Sequence, residues 1–156
     1  MSLGTETEAE LLVDEGSWVS GVLAGIAGSV VMAAVMLAMG ATPVLAGAIP
    51  GLYTLAPPPN AAAGIFVHLS HGAVLGVAFL AGLNAVGVGD ARRVVAAGVG
   101  YGVLTWIVLA ALVMPVWLGA VGFPNAPPFP NFAVPSLLWH LVYGVVLGAV
   151  VVALER

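Results

Sequence analysis

Two long stretches of the sequence contain no charged residue, and they constrain the fold more than any other feature. Residues 16–89 and residues 94–154 contain no Asp, Glu, Lys or Arg, and they make up 74 and 61 of the 156 residues. One membrane crossing needs about 20 apolar residues, so each stretch is long enough for more than one crossing. The sequence therefore predicts an all-α membrane protein, because about a quarter of the residues of a soluble domain are charged.

A proline-rich segment interrupts each uncharged stretch, at residues 41–60 and at residues 114–135. Proline lacks a backbone N–H and clashes with the preceding helical turn, so these segments are expected to end helices. Each stretch is thus predicted to form a hairpin of two transmembrane helices. The four predicted helices cover residues 18–41, 61–86, 92–112 or a little beyond, and 133–154.

The ten charged residues lie in three groups, at the start of the chain, around residue 90 and at the end. Because each hairpin crosses the membrane twice, all three groups are expected on one side. The basic residues Arg92, Arg93 and Arg156 are then together, and the positive-inside rule places them in the cytoplasm. We expect a multi-pass protein of the plasma membrane with cytoplasmic termini and external proline-rich loops. Residues 1–16 are predicted to be an acidic cytoplasmic tail, and residues 17–154 a four-helix transmembrane domain.

One phrase occurs twice, as HLSHGAVLG from His68 and as HLVYGVVLG from His140. The shared pattern HLxxGxVLGxxxxA places two of the three histidines at equivalent positions. Each half of the chain, about residues 17–88 and 92–154, then consists of a helix, a proline-rich loop and a helix. Because each half crosses twice, the two hairpins are predicted to be parallel repeats, related by a pseudo-two-fold axis along the membrane normal.

Every predicted helix contains two glycines in the pattern GxxxG. In lipid, helices associate through close backbone approach over small residues, so these glycines are predicted helix contacts. His68 and His140 each precede their glycine pair by four residues, and residues spaced by four share a helix face. Each of the two histidines is therefore expected to point toward a neighbouring helix. The predicted contact glycines are Gly21, Gly25, Gly72, Gly76, Gly98, Gly102, Gly144 and Gly148.

The histidines are the candidate functional residues, because an ionisable side chain inside a membrane is costly unless it is paired. His68 and His140 are candidate axial ligands of a haem b held between two helices. His71 and Tyr143, at equivalent positions one turn on, are candidate supporting donors or alternative ligands. Copper and zinc also bind imidazole, but three histidines without a nearby carboxylate make a poor catalytic site, so no metal site is predicted. The structural alternative is that each histidine forms one interhelical hydrogen bond that fixes helix register.

Several activities are excluded by what the sequence lacks. It contains no cysteine and none of the motifs GxxxxGK[ST], HExxH or GxSxG, so we predict no enzymatic activity. Three arginines, no lysine and a net charge of −4 argue against binding to nucleic acid.

The proline-rich loops contain aromatic side chains and no charge, so they are expected to fold over the bundle or to dock on a partner. We therefore expect a subunit or accessory component of a larger membrane complex, with a respiratory complex as one candidate. Its expected partners are membrane lipid and other membrane subunits or further copies of the chain. The alternatives are a bis-histidine b-type cytochrome or quinone-binding electron-transfer protein, and a transporter or channel for a small neutral solute. The loop aromatics are Tyr53, Trp117, Phe123, Phe129 and Phe132.

The segments GVLAGIAGSVVMAAVM, HLSHGAVLG, ALVMPVWLGAVGFPNAPPFPN and PSLLWHLVYGVVLG resemble an uncharacterised family of four-span membrane proteins from halophilic archaea. The resemblance covers nearly the whole chain, about residues 17–154. Some members of such families are labelled histidine kinases, but four spans leave no room in this chain for a nucleotide-binding domain. The resemblance implies no activity and no catalytic residues.

Overall fold

The described part of the chain is mostly helical, with four long apolar helices. The computed structural model describes the backbone of residues 3–155 and the side chains of residues 18–155, and no strand occurs in this part of the chain. The prediction of an all-α protein with four helices of membrane-spanning length and composition is confirmed, and these helices indicate a multi-pass membrane protein. They are Trp18–Ala38, Ala61–Val86, Ala91–Ala120 and Val134–Leu154.

The first span is the second part of a helix that begins at Leu3. The predicted acidic tail, residues 1–16, lies outside the residues whose side chains are described, and so does Arg156. The elements in chain order are α1 (Leu3–Ala38), the π-helix π1 (Val44–Ala48), α2 (Ile49–Gly51), α3 (Ala61–Val86), α4 (Ala91–Thr105), the π-helix π2 (Trp106–Val113), α5 (Met114–Ala120) and α6 (Val134–Leu154).

The ends of the second span and the start of the third follow from local sequence. Asn60 caps α3 by accepting a hydrogen bond from the backbone N–H of Ala63 at 3.0 Å. Gly87 ends α3 with a φ of +68°, a left-handed conformation that glycine adopts without strain. Asp90 caps α4, since its carboxylate accepts from the N–H groups of Arg92 and Arg93.

The third span extends further than the sequence predicts, to Ala120 instead of the neighbourhood of residue 112. Pro115 is the second residue of α5. Its missing N–H leaves a carbonyl of the preceding turn without a helical donor, and the backbone N–H of Asn131 donates to the carbonyl oxygen of Ala111 at 2.9 Å. The preceding segment, π2, has the wider π-helical turn, so the chain reaches Pro115 without breaking its helical path. Pro50 similarly lies in the first turn of α2, within the other proline-rich segment.

The four spans pack as two hairpins that meet through one helix of each. Helix α1 packs along α3, α4 packs along α6, and the hairpins join through extensive contact between α1 and α6. Helices α3 and α4 pack against each other far less. We call the side of the bundle with residues 39–60 and 121–133 the proline-rich end, and the side with the turn at residues 87–90 the charged end.

Candidate functional site

The predicted glycines of the first hairpin lie where α1 and α3 cross. A Cβ atom on Gly72 would overlap the hydroxyl of Ser29 and would lie 2.8 Å from the carbonyl oxygen of Gly25. A Cβ atom on Gly76 would lie 2.8 Å from the Cα of Gly25 and would overlap the carbonyl oxygen of Gly21. No side chain fits at these positions, so backbone atoms of the two helices are in direct contact.

The second hairpin is built in a comparable way from its own glycines. A Cβ atom on Gly144 would overlap the carbonyl oxygen of Gly98, and one on Gly102 would overlap the carbonyl oxygen of His140. Gly148 faces the backbone of Val95, whose Cα would lie 3.0 Å from an added Cβ. Backbone atoms of α4 and α6 are therefore also in direct contact.

His68 connects the two helices of the first hairpin. Its Nε2 atom donates a hydrogen bond to the carbonyl oxygen of Ser29 on α1, at 3.1 Å. The side chain is only 7% exposed. One turn toward the charged end, Gly72 provides the close approach that brings α1 within reach of the imidazole.

His140 makes a different bond, although it occupies the equivalent position in the repeated phrase. Its Nδ1 atom donates to the carbonyl oxygen of Ser136 in its own helix, at 2.7 Å. The hydroxyl of Ser136 accepts a bond from the indole N–H of Trp106 at 2.9 Å, which ties π2 to α6. The interhelical hydrogen bond expected of both histidines is therefore present for His68, while His140 bonds within α6.

Tyr143 joins three helices at the centre of the bundle. Its hydroxyl donates to the carbonyl oxygen of Gly72 on α3 at 2.9 Å. Its ring lies against Gly28 on α1, where an added Cβ would be 2.9 Å from the ring carbon Cδ2. The sequence singles out Tyr143 but gives no sign of Gly28, because this glycine lies outside the GxxxG pairs.

His71 is turned toward the proline-rich end. Its Nε2 lies 2.7 Å from the hydroxyl of Tyr53 in the first proline-rich segment, and the two ring centroids are 5.7 Å apart. The neighbouring carbonyl of Leu52 accepts a bond from the indole N–H of Trp117 on α5, at 2.9 Å. Residues Leu52 and Tyr53 are thus attached to both the second and the third span.

Tyr101 is a further polar side chain between the hairpins. Its hydroxyl donates to the carbonyl oxygen of Leu75 on α3 at 3.0 Å, and its ring centroid lies 5.2 Å from that of Phe79. Its bulk stands between α3 and α4, the two helices that pack least closely.

The hydrogen bonds define what His68 and His140 offer a ligand. A carbonyl oxygen only accepts, so the bonded nitrogens, Nε2 of His68 and Nδ1 of His140, carry hydrogen. In a neutral ring the other nitrogen then has a lone pair. No hydrogen bond joins the two rings, and the described residues contain no group of three His, Asp or Glu side chains that could hold a metal ion.

Residues 16–156 match a family of unknown function, DUF6789. The chain belongs to this family. The comparisons with curated proteins and with solved structures gave no significant match. The resemblance to an uncharacterised family is therefore supported, and membership brings no activity with it. Any function has to be inferred from the geometry of the chain.

The proline-rich end presents aromatic side chains without charge. Tyr53, Trp117, Phe129 and Phe132 are between 50% and 62% exposed. Phe123 is turned inward, since a Cβ atom on Gly51 would lie 2.7 Å from its ring. Both proline-rich segments line a cavity of about 380 Å³, whose wall includes several prolines and one polar side chain, that of Asn125.

Proposed function

We propose that the protein is a subunit or accessory component of a larger membrane complex, and that it docks through its proline-rich end. The observation that carries the proposal is the uncharged aromatic surface formed by Tyr53, Trp117, Phe129 and Phe132. Residues 39–60 and 121–133 contain no charged residue at all. A respiratory complex is one setting in which such a small helical subunit would function.

The location of this surface distinguishes it from the exposed apolar residues of the spans. Side chains such as Phe66, in the second turn of α3, and Val74, in its middle, are exposed on the side that faces lipid and need no protein partner. The proline-rich end lies beyond the spans, where water and lipid headgroups begin, and Trp117 lies in the last turn of the third span that leads into it. Apolar surface facing water often marks an interaction site. Because these side chains are 50–62% exposed, burying the rest of each contributes roughly half of the about 1.5–3 kcal/mol of a complete burial.

The partner that fits is another membrane protein with an uncharged, apolar surface at the same level. Trp117 and Tyr53 already use their polar groups internally, in the bonds to Leu52 and His71. Their outward faces therefore offer mainly ring surface. A charged partner surface would lose its hydration and gain no ion pair.

We infer that the hairpins are parallel repeats about a pseudo-two-fold axis along the membrane normal. The contact of Gly72 with Gly25 has its counterpart in the contact of Gly144 with Gly98. These pairs align the two halves of the chain with almost the same sequence offset as the repeated phrase. We further infer that the protein lies in the plasma membrane with the charged end in the cytoplasm, because Arg92 and Arg93 are there.

Photo-crosslinking tests the docking proposal. A photoreactive phenylalanine analogue replaces either Phe129 in the aromatic surface or Phe66, the lipid-facing control that is 72% exposed. We expect the Phe129 analogue in native membranes to form a crosslink with one membrane protein that co-purifies in a fixed ratio. The Phe66 analogue should not, and Phe132→Ser should reduce both the crosslink and the size of the solubilised complex. A monodisperse single chain that crosslinks only to lipid at both positions would refute docking.

A haem-binding protein is the second candidate, and the geometry of His140 favours it. Its Nδ1 donates to a backbone carbonyl while Nε2 is left without a partner in the described residues, as in a metal-bound imidazole. His68 has the opposite arrangement, because its Nε2 is occupied by the bond to Ser29. A bis-histidine site would therefore require His68 to release α1. A reduced-minus-oxidised spectrum with bands that disappear in His140→Ala would support this candidate, and a colourless preparation grown with ample haem would exclude it.

A further inference from the structure

The cavity of about 380 Å³ at the proline-rich end lies between the two proline-rich segments and is lined by both. Its inner wall includes Ala56, which is 6% exposed, and the half-buried Gly47. Pro57, Pro59 and Asn125 also line the cavity, but these residues are exposed and therefore form its rim. The cavity is thus a pocket with a buried base and a mouth at the protein surface.

Backbone hydrogen bonds hold both walls of the cavity in place. In the first segment, the N–H of Asn60 donates to the carbonyl oxygen of Ala46 at 2.7 Å. Three consecutive prolines precede Asn60, and the ring of each fixes its φ angle. In the second segment, the N–H of Phe123 donates to the carbonyl oxygen of Leu118 at 2.9 Å. Because both walls are ordered before a ligand arrives, binding loses little conformational entropy.

The volume of the cavity sets the size of the ligand. An apolar cavity of about 150 Å³ is large enough to bind benzene. The present cavity, at about 380 Å³, has roughly two and a half times that volume. It also lies within the range of about 300–1,000 Å³ that is usual for small-molecule sites. A molecule with two fused rings and a short substituent fits this space.

The lining of the cavity determines the chemistry of the ligand. Its single aromatic side chain is Phe123, and a Cβ atom on Gly47 would lie 3.8 Å from the ring carbon Cζ, so this ring borders the inner wall. Aromatic rings pair favourably edge-to-face or offset. Asn125 is the one polar side chain of the lining, and its carboxamide both donates and accepts hydrogen bonds. Residues 39–60 and 121–133 contain no charge that would compensate an ionised ligand.

We propose that this cavity is a binding site for a small neutral molecule with two fused rings, at least one of them aromatic, and one hydroxyl or carbonyl group. The rings pack on Phe123 and on the prolines of the lining, and the polar group bonds to the carboxamide of Asn125. The site is separate from the proposed docking surface, because none of the four exposed aromatic side chains of that surface lines the cavity.

Titration with 2-naphthol tests the proposal, on the full chain in lipid nanodiscs with ¹⁵N-labelled asparagine. The chain has four asparagines, so the side-chain amide signals are few, and Asn84 near the charged end serves as the reference for ligand dissolved in lipid. We expect a saturable shift of the Asn125 amide signal and an unchanged Asn84 signal. Naphthalene lacks the polar group, so at equal free concentration it should bind about fivefold more weakly, which corresponds to one hydrogen bond of about 1 kcal/mol.

The variant Gly47→Leu makes the test specific to the cavity. A Cβ atom at Gly47 meets only the Phe123 ring, at ordinary contact distance, so the leucine occupies space beside that ring. Binding of 2-naphthol should weaken about tenfold or more, because the ligand rings need the same space. Gly119→Leu is the matched control at the same end of the bundle, where an added Cβ meets no atom within 4 Å, and it should retain binding. Shifts that do not saturate, equal shifts of Asn84 and Asn125, equal affinity for naphthalene, or unchanged binding in Gly47→Leu would overturn the proposal.

Discussion

Gly72 lies where α3 crosses α1, and its replacement by alanine tests whether direct backbone contact holds the first hairpin together. The new Cβ would overlap the hydroxyl of Ser29 and approach the carbonyl oxygen of Gly25 to 2.8 Å. Both helices are regular there, so the conflict is relieved only if α1 and α3 move apart. Separation of the helices would also stretch the bond from His68 to Ser29 and displace the carbonyl that Tyr143 binds.

The expected loss in the free energy of unfolding follows from these lost contacts. Overpacking of a close contact costs about 1–3 kcal/mol. Each interhelical hydrogen bond in a membrane contributes about 0.6 kcal/mol on average, and two are affected. Alanine gains about 1 kcal/mol over glycine in helix propensity, which offsets part of the loss. Gly82→Ala has the same gain on the same helix, and a Cβ there meets no atom within 4 Å. The difference between the two variants should therefore be about 2–4 kcal/mol, from the packing and hydrogen-bond terms together.

Reversible unfolding in mixed micelles of a mild detergent and dodecyl sulfate measures this difference, with tryptophan fluorescence as the signal. Trp139 is a suitable reporter, because it is 8% exposed in the folded chain. We expect Gly72→Ala to lower the free energy of unfolding, while Gly82→Ala leaves it unchanged or raises it slightly. Equal stability of the two variants would show that the glycine contact does not hold the hairpin, and the reasoning would fail.

Three further predictions concern two other side-chain contacts and the membrane topology. Tyr143→Phe removes only the hydroxyl bonded to Gly72, so the free energy of unfolding should fall by about 0.6–1.7 kcal/mol in the same micelle assay. Tyr53→Phe should leave global stability nearly unchanged but release residues 52–55 from α3, which hydrogen exchange would detect as faster exchange confined to that loop. Cysteines placed at Ala91 and Gly122 report topology: a membrane-impermeant thiol reagent added to intact cells should label only the second, and the reverse pattern would invert the proposed orientation.

Charge distribution and helix length were sufficient to predict the number and approximate limits of the spans. The second span was predicted at its observed limits, because Asn60 and Gly87 are strong local end signals. The extension of the third span to Ala120 was not predicted. Pro115 reads as a helix terminator when only its own properties are considered. Whether a proline breaks a helix depends on its place in the turn, and here π2 positions it at the start of α5.

The hydrogen bonds of the candidate site depend on contacts that periodicity does not reveal. The spacing of His68 and Gly72 correctly indicates that this face meets another helix, and Ser29 is found there. The same spacing in α6 cannot show that His140 bonds to Ser136 in its own helix. Trp139 looks like an interfacial residue near a helix end, yet it is buried and its indole N–H contacts the sulfur of Met39 at 3.2 Å. Which hydrogen-bond partner a side chain finds depends on the helix packed against it, and that helix lies far away in the sequence.

The differences between the two proposed repeats explain why the bundle is closed on one side and looser on the other. If Gly25 is equivalent to Gly98, then Gly28 is equivalent to Tyr101. Glycine at the first position lets α6 approach α1 and leaves room for the ring of Tyr143. Tyrosine at the second position holds α4 away from α3 with its own ring. Two identical hairpins related by such an axis would pack α1 against α6 and α3 against α4 equally closely. One exchange of glycine for tyrosine therefore accounts for the close packing of α1 against α6 and for the sparse packing of α3 against α4.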